Sequence, residues 1–145
     1  MKRYAGEKNF RDFFKYLSEQ CGEKYERSDV EFPRFVPKQY AEFMRYAEGT
    51  RFWIGSYFSF SDTARLKKSA NELLEENGFA YRLKENDFVF WMHGGYMFYF
   101  FNTNEGDDPP VYYYSECDDM TEFVKCSESF TDFIISPYIT GIPNP

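Results

Sequence analysis

The chain contains one histidine, His93, the only residue able to act as the imidazole base of a serine or cysteine hydrolase. It precedes Gly94-Gly95, and the sequence His-Gly-Gly is typical of the oxyanion loop of some hydrolases. These enzymes also need a Gly-x-Ser-x-Gly nucleophile turn, which the sequence does not contain. We therefore predict that His93 is a hydrogen-bonded turn residue and that the chain is not an enzyme.

Oxygen-bearing side chains that could bind a hard cation are close in sequence at Asn102, Asn104, Asp107 and Asp108. Their spacing differs from that of the Asp-x-Asp-x-Asp-Gly calcium loop, and no glutamate closes the loop at its twelfth position. Glycine-rich phosphate loops and Gly-Lys-Ser/Thr sequences are also missing. The sequence thus predicts no metal site and no bound cofactor.

The three cysteines, Cys21, Cys117 and Cys126, include no C-x-x-C pair of the kind that zinc and redox sites use. We expect three reduced thiols in a reducing compartment, with a regulatory Cys117–Cys126 disulfide as the alternative. No secretory signal follows Met1, and no apolar run approaches the roughly 18 residues of a membrane span. The sequence therefore predicts a cytoplasmic protein without membrane contact.

The excess negative charge of the chain, −7 in total, lies in its last third. Residues 1–101 contain 16 basic and 15 acidic side chains, whereas residues 102–145 contain nine acids and one lysine, Lys125. A field of this sign repels nucleic acid and attracts basic proteins. We therefore expect a basic protein partner and no direct contact with nucleic acid. Acids that only solubilise loops or cap a helix are the alternative explanation.

Tyrosines stand between these acids in the segment Val111-Tyr112-Tyr113-Tyr114. Side chains alternate between the faces of a strand, so Tyr112 and Tyr114 share one face while Val111 and Tyr113 share the other. If Val111 and Tyr113 point into the core, Tyr112 and Tyr114 are exposed contacts for arginine and lysine of a partner. Ordinary packing of all three rings within the sheet is the alternative. The predicted partner surface comprises Glu105, Asp107, Asp108, Tyr112, Tyr114, Glu116, Asp118 and Asp119.

Helical spacing of apolar side chains predicts four helices, over residues 10–21, 37–48, about 61–76 and 130–136. Alternating apolar and polar side chains predict strands over residues 87–93, 96–101, 111–115 and 121–125, with a further strand or hairpin arm over 52–60. Gly94-Gly95 permits the positive φ angles of a two-residue turn between the first two of these strands. Strands gathered together indicate an α+β fold with a mostly antiparallel sheet of about four to six strands and helices packed against it.

The chain length of 145 residues predicts a single domain over residues 1–145, with a frayed tail from about residue 139. Aromatic content is high, with 18 phenylalanines and 13 tyrosines. We expect the phenylalanines mostly in the core and some of the tyrosines at the surface, where a ring with a wet hydroxyl suits a partner.

Four motifs follow one another along the chain. Residues 35–43 read Phe-Val-Pro-Lys-Gln-Tyr-Ala-Glu-Phe and precede Gly49, and residues 87–100 contain the hairpin around Gly94-Gly95. Asp-Pro-Pro-Val-Tyr-Tyr-Tyr follows at 108–114, and Ser-Phe-Thr-Asp-Phe-Ile at 129–134. In this order they resemble the SUKH superfamily, the proteins related to the Smi/Knr cell-wall assembly regulators. The similarity covers the helix start Leu-Pro-x-x-Tyr-x-x-Phe-Leu, the central hairpin, the Asp-Pro-Pro-Val-Tyr strand and the closing Ser-Phe-x-x-Phe-Leu helix.

The resemblance implies an α+β fold of the SUKH type and binding without catalysis. Many bacterial members are immunity proteins that neutralise polymorphic toxins, often nucleases. Our leading hypothesis is therefore an immunity protein that binds a basic toxin domain and occludes its active site. The alternatives are a regulatory protein-binding scaffold without a toxin partner and, with less support, a hydrolase that uses two carboxylates across a cleft.

Overall fold

The computed structural model describes residues 2–50 and 58–141 of the chain. The helices in this part are α1 (Phe10–Cys21), α2 (Lys38–Ala47), α3 (Thr63–Glu76) and α4 (Phe130–Thr140). The strands are β1 (Asp87–His93), β2 (Met97–Asn102), β3 (Val111–Ser115) and β4 (Val124–Ser127). They form one antiparallel sheet in the order β1-β2-β3-β4, which confirms the predicted α+β fold and its antiparallel sheet.

Helices cover both faces of the sheet. On one face, α1, α2 and α4 pack against Phe90, Phe101 and Val111 and form one core. On the other face, α3 packs against Phe98 and Tyr114, among others, and forms a second core. The central strand β2 therefore buries side chains in both directions.

A bulge in β1 changes which side chains reach each core. Val89 pairs with Phe100 and Trp91 pairs with Tyr99, so Phe90 is an extra residue relative to β2. Phe90 and Trp91 consequently both pack into the core beneath α1, α2 and α4. In a regular strand these neighbours would point to opposite faces, and the alternation of residue types does not reveal the bulge.

The first helix, α1, begins and ends where the sequence predicts. The Asn9 side chain accepts a hydrogen bond of 2.8 Å from the backbone N–H of Asp12, which caps the first turn. Gly22 closes the other end with a φ of 71°, a conformation that glycine adopts without strain. Four apolar residues of the helix lie on one side of it and are all buried: Phe10, Phe13, Phe14 and Leu17.

Two of the predicted strands differ from the structure. Most of the arm predicted over 52–60 lies outside the described residues; its end contains an isolated bridge between Phe58 and Glu48 and the start of a short 3-10 helix (Phe60–Asp62). The last strand is β4, at 124–127 rather than 121–125. Its start moves because Phe123 turns toward the second core, where its ring lies 4.9 Å from that of Phe100.

The helix α4 continues through Pro137 to Thr140, so the frayed tail predicted from residue 139 is wrong for residues 139 and 140. Proline removes one backbone N–H from the helix, but packing of the next residue compensates for this loss. Tyr138 is buried, and its carbonyl oxygen accepts a 3.0 Å hydrogen bond from the backbone N–H of Tyr4. Its ring also meets that of Phe13 edge to face, at 5.1 Å between centroids.

We predict that Phe10→Ala lowers the free energy of unfolding by about 3–5 kcal/mol, because it removes a buried ring and leaves a cavity. The ring of Phe10 contacts those of Phe14, Phe43 and Phe130 and so joins α1 to α2 and α4. Urea denaturation followed by circular dichroism measures the change. The matched control Lys15→Ala, on the exposed side of α1, should stay within about 0.5 kcal/mol of the parent. Equal losses for the two variants would contradict the core described here.

Candidate functional site

The one residue that could have acted as an imidazole base, His93, lies at the end of β1 in aromatic surroundings. Its ring centroid is 5.5 Å from those of Trp91 and Tyr96. Gly94 and Gly95 follow with φ angles of 57° and 77°, and the N–H of Tyr96 donates to the carbonyl oxygen of His93 at 3.2 Å. The positive φ angles predicted for this hairpin turn are confirmed, and the hydrogen bond at the turn is made by the backbone of His93.

Residues 2–50 and 58–141 contain no group of three or more His, Cys, Asp or Glu side chains that could hold a metal ion. The oxygen donors after β2 have other partners. Asn102 donates to the Asp87 carboxylate at 3.1 Å and accepts the N–H of Asn104 at 2.9 Å. Asp108 accepts the N–H of Thr131 at 2.9 Å, at the N-terminus of α4, where a negative charge is stabilising. These side chains therefore organise turns and a helix end.

The eight residues predicted to contact a partner are divided between the two ends of β3. Three of the acids precede the strand and three follow it. A strand of five residues spans roughly 14 Å between its first and last residues. The structure therefore places the acids in two groups: one of Glu105, Asp107 and Asp108, and the other of Glu116, Asp118 and Asp119.

Within each group, the individual acids contact different elements of the structure. In the first, the Glu105 carboxylate accepts the hydroxyl of Tyr112 at 3.2 Å, while the backbone carbonyl of Asp107 accepts the N–H of Gln39 at the start of α2. In the second, Glu116 accepts the side-chain amide of Asn77 at 3.1 Å, beside the end of α3.

Asp118 lies toward the other side of the sheet. Its carboxylate accepts the hydroxyl of Tyr113 at 3.3 Å. The Tyr113 ring neighbours that of Tyr99, on the face that α1, α2 and α4 cover. Asp119 is exposed to solvent. The acids after β3 are thus spread around the end of the sheet, and only some of them face the same side as Tyr112.

The prediction that Tyr114 is exposed is wrong. Tyr112 and Tyr114 do share one face of β3, but α3 and the segment after it cover that face. Tyr114 is only 4% exposed, and its ring centroid lies 4.9 Å from that of Phe79 and 5.8 Å from that of Phe98. Tyr112, near the opposite end of the strand, stays partly exposed.

Most of the C-terminal acids keep their charge unpaired. Among the nine acids after residue 101, Asp132 pairs with Lys8 at 2.8 Å and Glu128 pairs with Lys125 at 3.1 Å. The other seven form no ion pair with any lysine or arginine that the structure describes: Glu105, Asp107, Asp108, Glu116, Asp118, Asp119 and Glu122. The negative charge concentrated in this part of the sequence is therefore not neutralised by its neighbours.

A groove of about 430 Å³ lies beside Tyr112, on the face of the sheet that α3 covers. The rings of Phe100, Tyr112 and Phe123 line its base, and Tyr81, in the segment between α3 and β1, lines one side. Charged side chains border this aromatic groove, three of them acidic and two basic: Asp87, Glu105, Glu122, Arg82 and Lys84.

Sequence reasoning missed Tyr81 and Phe123. Tyr81 is 54% exposed, although Phe79 and Leu83 on either side of it are buried. The segment has neither helical nor strand geometry, so no periodic pattern relates these three side chains. The strand predicted over residues 121–125 includes Phe123, but a strand position does not indicate that its ring meets the ring of Phe100. Tyr81 and Phe123 line the same groove because of the path that the chain takes from α3 back to the sheet.

Burial raises the pKa of the Tyr112 phenol above its ordinary value, and the negative charge and hydrogen bond of Glu105 raise it further. Burial also raises the pKa of Tyr113, with smaller contributions from the charge and hydrogen bond of Asp118. Both phenols therefore stay protonated at neutral pH and can donate hydrogen bonds.

We predict that Glu105→Gln lowers the pKa of Tyr112 part of the way toward its ordinary value. The substitution removes a negative charge that disfavours the phenolate, but it leaves the burial that is the largest single cause of the raised pKa. Carbon-13 NMR of ζ-labelled tyrosines at rising pH measures the titration, with Tyr112→Phe assigning the signal. Asp118→Asn is the matched control and should act on Tyr113 instead. An unchanged Tyr112 titration in Glu105→Gln would contradict this pairing.

Together, the antiparallel sheet with helices on both faces, the aromatic groove and the C-terminal acids without ion pairs among the described residues define an α+β protein with an acidic C-terminal third. The SUKH-family sequence model described as SMI1-KNR4 cell-wall matches residues 29–134, and the chain belongs to this family. The matched range contains α2, α3, the whole sheet and the first half of α4. Comparison with curated proteins gave no match. Comparison with solved structures gave none either.

The helices that the structure describes are all too short or too polar to cross a lipid bilayer.

Proposed function

We propose that this chain is an immunity protein that binds a basic toxin domain, of the nuclease kind, in the cytoplasm and neutralises it by occluding its active site. Membership of the SUKH family supports the proposal, because many bacterial proteins of the SUKH superfamily are immunity proteins. The observation on this chain that carries it furthest is that seven of the nine C-terminal acids form no ion pair with a lysine or arginine in residues 2–50 and 58–141.

Unpaired surface acids favour a basic partner for a physical reason. A nuclease must attract a polyanion, so the region around its active site carries lysine and arginine. An acidic surface is complementary to that region, accelerates the encounter with it and competes with the nucleic acid for the same charges. Binding there would exclude the substrate without any reaction on the part of the immunity protein.

We propose a contact surface that runs along β3 and includes the loops at both of its ends. Of the eight residues predicted from the sequence, the surface keeps Tyr112 and five acids, and it adds Glu122. The five acids are Glu105, Asp107, Glu116, Asp118 and Asp119. The five residues of β3 span roughly 14 Å, a length that fits within one interface of about 800 Å² per partner. Tyr114 leaves the set because it is buried, and Asp108 leaves it because its carboxylate binds the N-terminus of α4.

Co-expression tests the function itself. Nuclease toxin domains encoded beside the gene for this chain are expressed with it or with the destabilised Phe10→Ala variant in the same cells. We expect growth to recover and the toxin to co-purify with the parent chain. Co-purification without recovery of growth would favour a regulatory scaffold, and the absence of both with every neighbouring toxin would contradict the proposal.

Reversing three charges tests the surface. We predict that Glu116→Lys, Asp118→Lys and Asp119→Lys together slow association with the toxin by about tenfold or more, and most at low salt, because long-range attraction is lost. Stopped-flow or surface plasmon resonance at two salt concentrations measures the rate.

The matched control reverses three exposed acids that precede the sheet in the sequence, Glu7, Glu19 and Glu31, and produces the same change in net charge. It should slow association much less. Equal effects of the two triple variants would show that only net charge matters, and unchanged rates in the β3 variant would exclude this surface.

A further inference from the structure

We propose that the groove between Tyr81 and Tyr112 is a receptor for a single arginine side chain of the partner protein. The inference rests on the proposed function, because the arginine belongs to the toxin that the chain is proposed to bind. It is carried by the groove itself, which combines flat aromatic walls with carboxylates at its border. These are the two kinds of group that a guanidinium contacts at once, with its face and with its edge.

The aromatic part of the groove is preassembled. Phe100 stacks with Tyr112 at 5.6 Å between centroids and meets Phe123 edge to face at 4.9 Å. Tyr81 also lines the groove, and its ring meets that of Phe79 edge to face at 5.9 Å between centroids. Rings fixed by their neighbours lose little conformational entropy when a ligand binds. The exposed face of Tyr81 therefore offers stacking area at low cost.

Within the part of the chain that the structure describes, no basic side chain forms an ion pair with the three carboxylates that line the groove. Arg82 directs its guanidinium to its own loop, with hydrogen bonds of 2.6 and 2.9 Å to the carbonyl oxygens of Phe79 and Tyr81. Neither Arg82 nor Lys84 forms an ion pair with Asp87, Glu105 or Glu122 in the described structure.

The Glu105 carboxylate is the best placed of the three to receive a guanidinium. The hydroxyl of Tyr112 contacts both of its oxygens, at 3.3 and 3.2 Å, and orients the carboxylate at the edge of the groove. Each oxygen keeps a further lone pair beside this hydroxyl, so a guanidinium can donate an N–H to the carboxylate while its planar face stacks on an aromatic ring, a combination that the ammonium of lysine does not offer. The groove thus distinguishes arginine from lysine.

Titration of the full chain with the blocked tripeptide Gly-Arg-Gly, followed by nitrogen-15 NMR, tests the inference without a toxin. We expect saturable shifts at residues 81–84, 102–105, 112 and 123, with a dissociation constant on the order of 1–10 mM. The same peptide with citrulline, which is uncharged, should not bind. Gly-Lys-Gly should bind about threefold or more weakly, because it lacks the planar fork.

Variants of the groove sharpen the test. Tyr81→Ala should weaken binding of the arginine peptide about fivefold, while Tyr81→Phe, which keeps the ring, should retain it. Glu105→Gln should also weaken it, whereas the control Glu75→Gln, an exposed acid on α3, should not. Shifts spread over Asp107, Asp118 and Asp119, equal binding of the lysine peptide, or no effect of Tyr81→Ala would each overturn the inference.

The outcomes for the groove and for the proposed function are separate. If the arginine peptide fails to bind while the chain still rescues cells from a toxin, the groove inference fails and the function stands. If the peptide binds in the groove and no toxin is neutralised, the groove is an arginine receptor for another class of partner protein, and the proposed immunity function fails.

Discussion

Aromatic packing on both sides of the central strand β2 constrains the rest of the structure. Phe98 and Phe100 pack under α3, while Phe101 packs under α1, α2 and α4, with Tyr99 half-buried beside it. Because helices cover both faces of this strand, β2 itself offers little surface to another molecule, whereas the ends of the strands and the loops that join them stay exposed. The acids around β3 and the groove beside Tyr112 occur at such positions, where charge can stay hydrated while aromatic rings remain within reach.

The first helix belongs to this packing although it lies outside the family-matched residues 29–134. Its buried phenylalanines meet side chains of α2 and α4, and the segment before it binds the last turn of α4 through Tyr4 and Tyr138. The core of this chain is thus larger than the part that the family comparison covers. Its N-terminal residues support the groove and the acidic loops indirectly, by stabilising the sheet that carries them.

Much of the fold could be predicted because local signals decide it. The periodicity and caps of α1 and the alternation in β3 gave those boundaries correctly, and Gly94-Gly95 marked the hairpin. Alternation also showed correctly that Tyr112 and Tyr114 share a face. It could not show that α3 covers this face, because coverage depends on contacts between distant parts of the chain. The bulge at Phe90 and the exposure of Tyr81 could not be predicted for the same reason. A sequence pattern reflects residues that are close along the chain, whereas these two features depend on packing between distant segments.

The central claim is that this protein acts through the loops around β3 and the aromatic groove, by contact with a basic protein. Hydrogen–deuterium exchange of the chain, alone and bound to a toxin that it neutralises, tests the claim directly. We expect slower exchange in the complex at residues 79–85, 102–108 and 116–123, with little change in α1. Protection confined to α1, α2 and the segment that joins them would contradict it, because the partner would then bind the opposite side of the molecule.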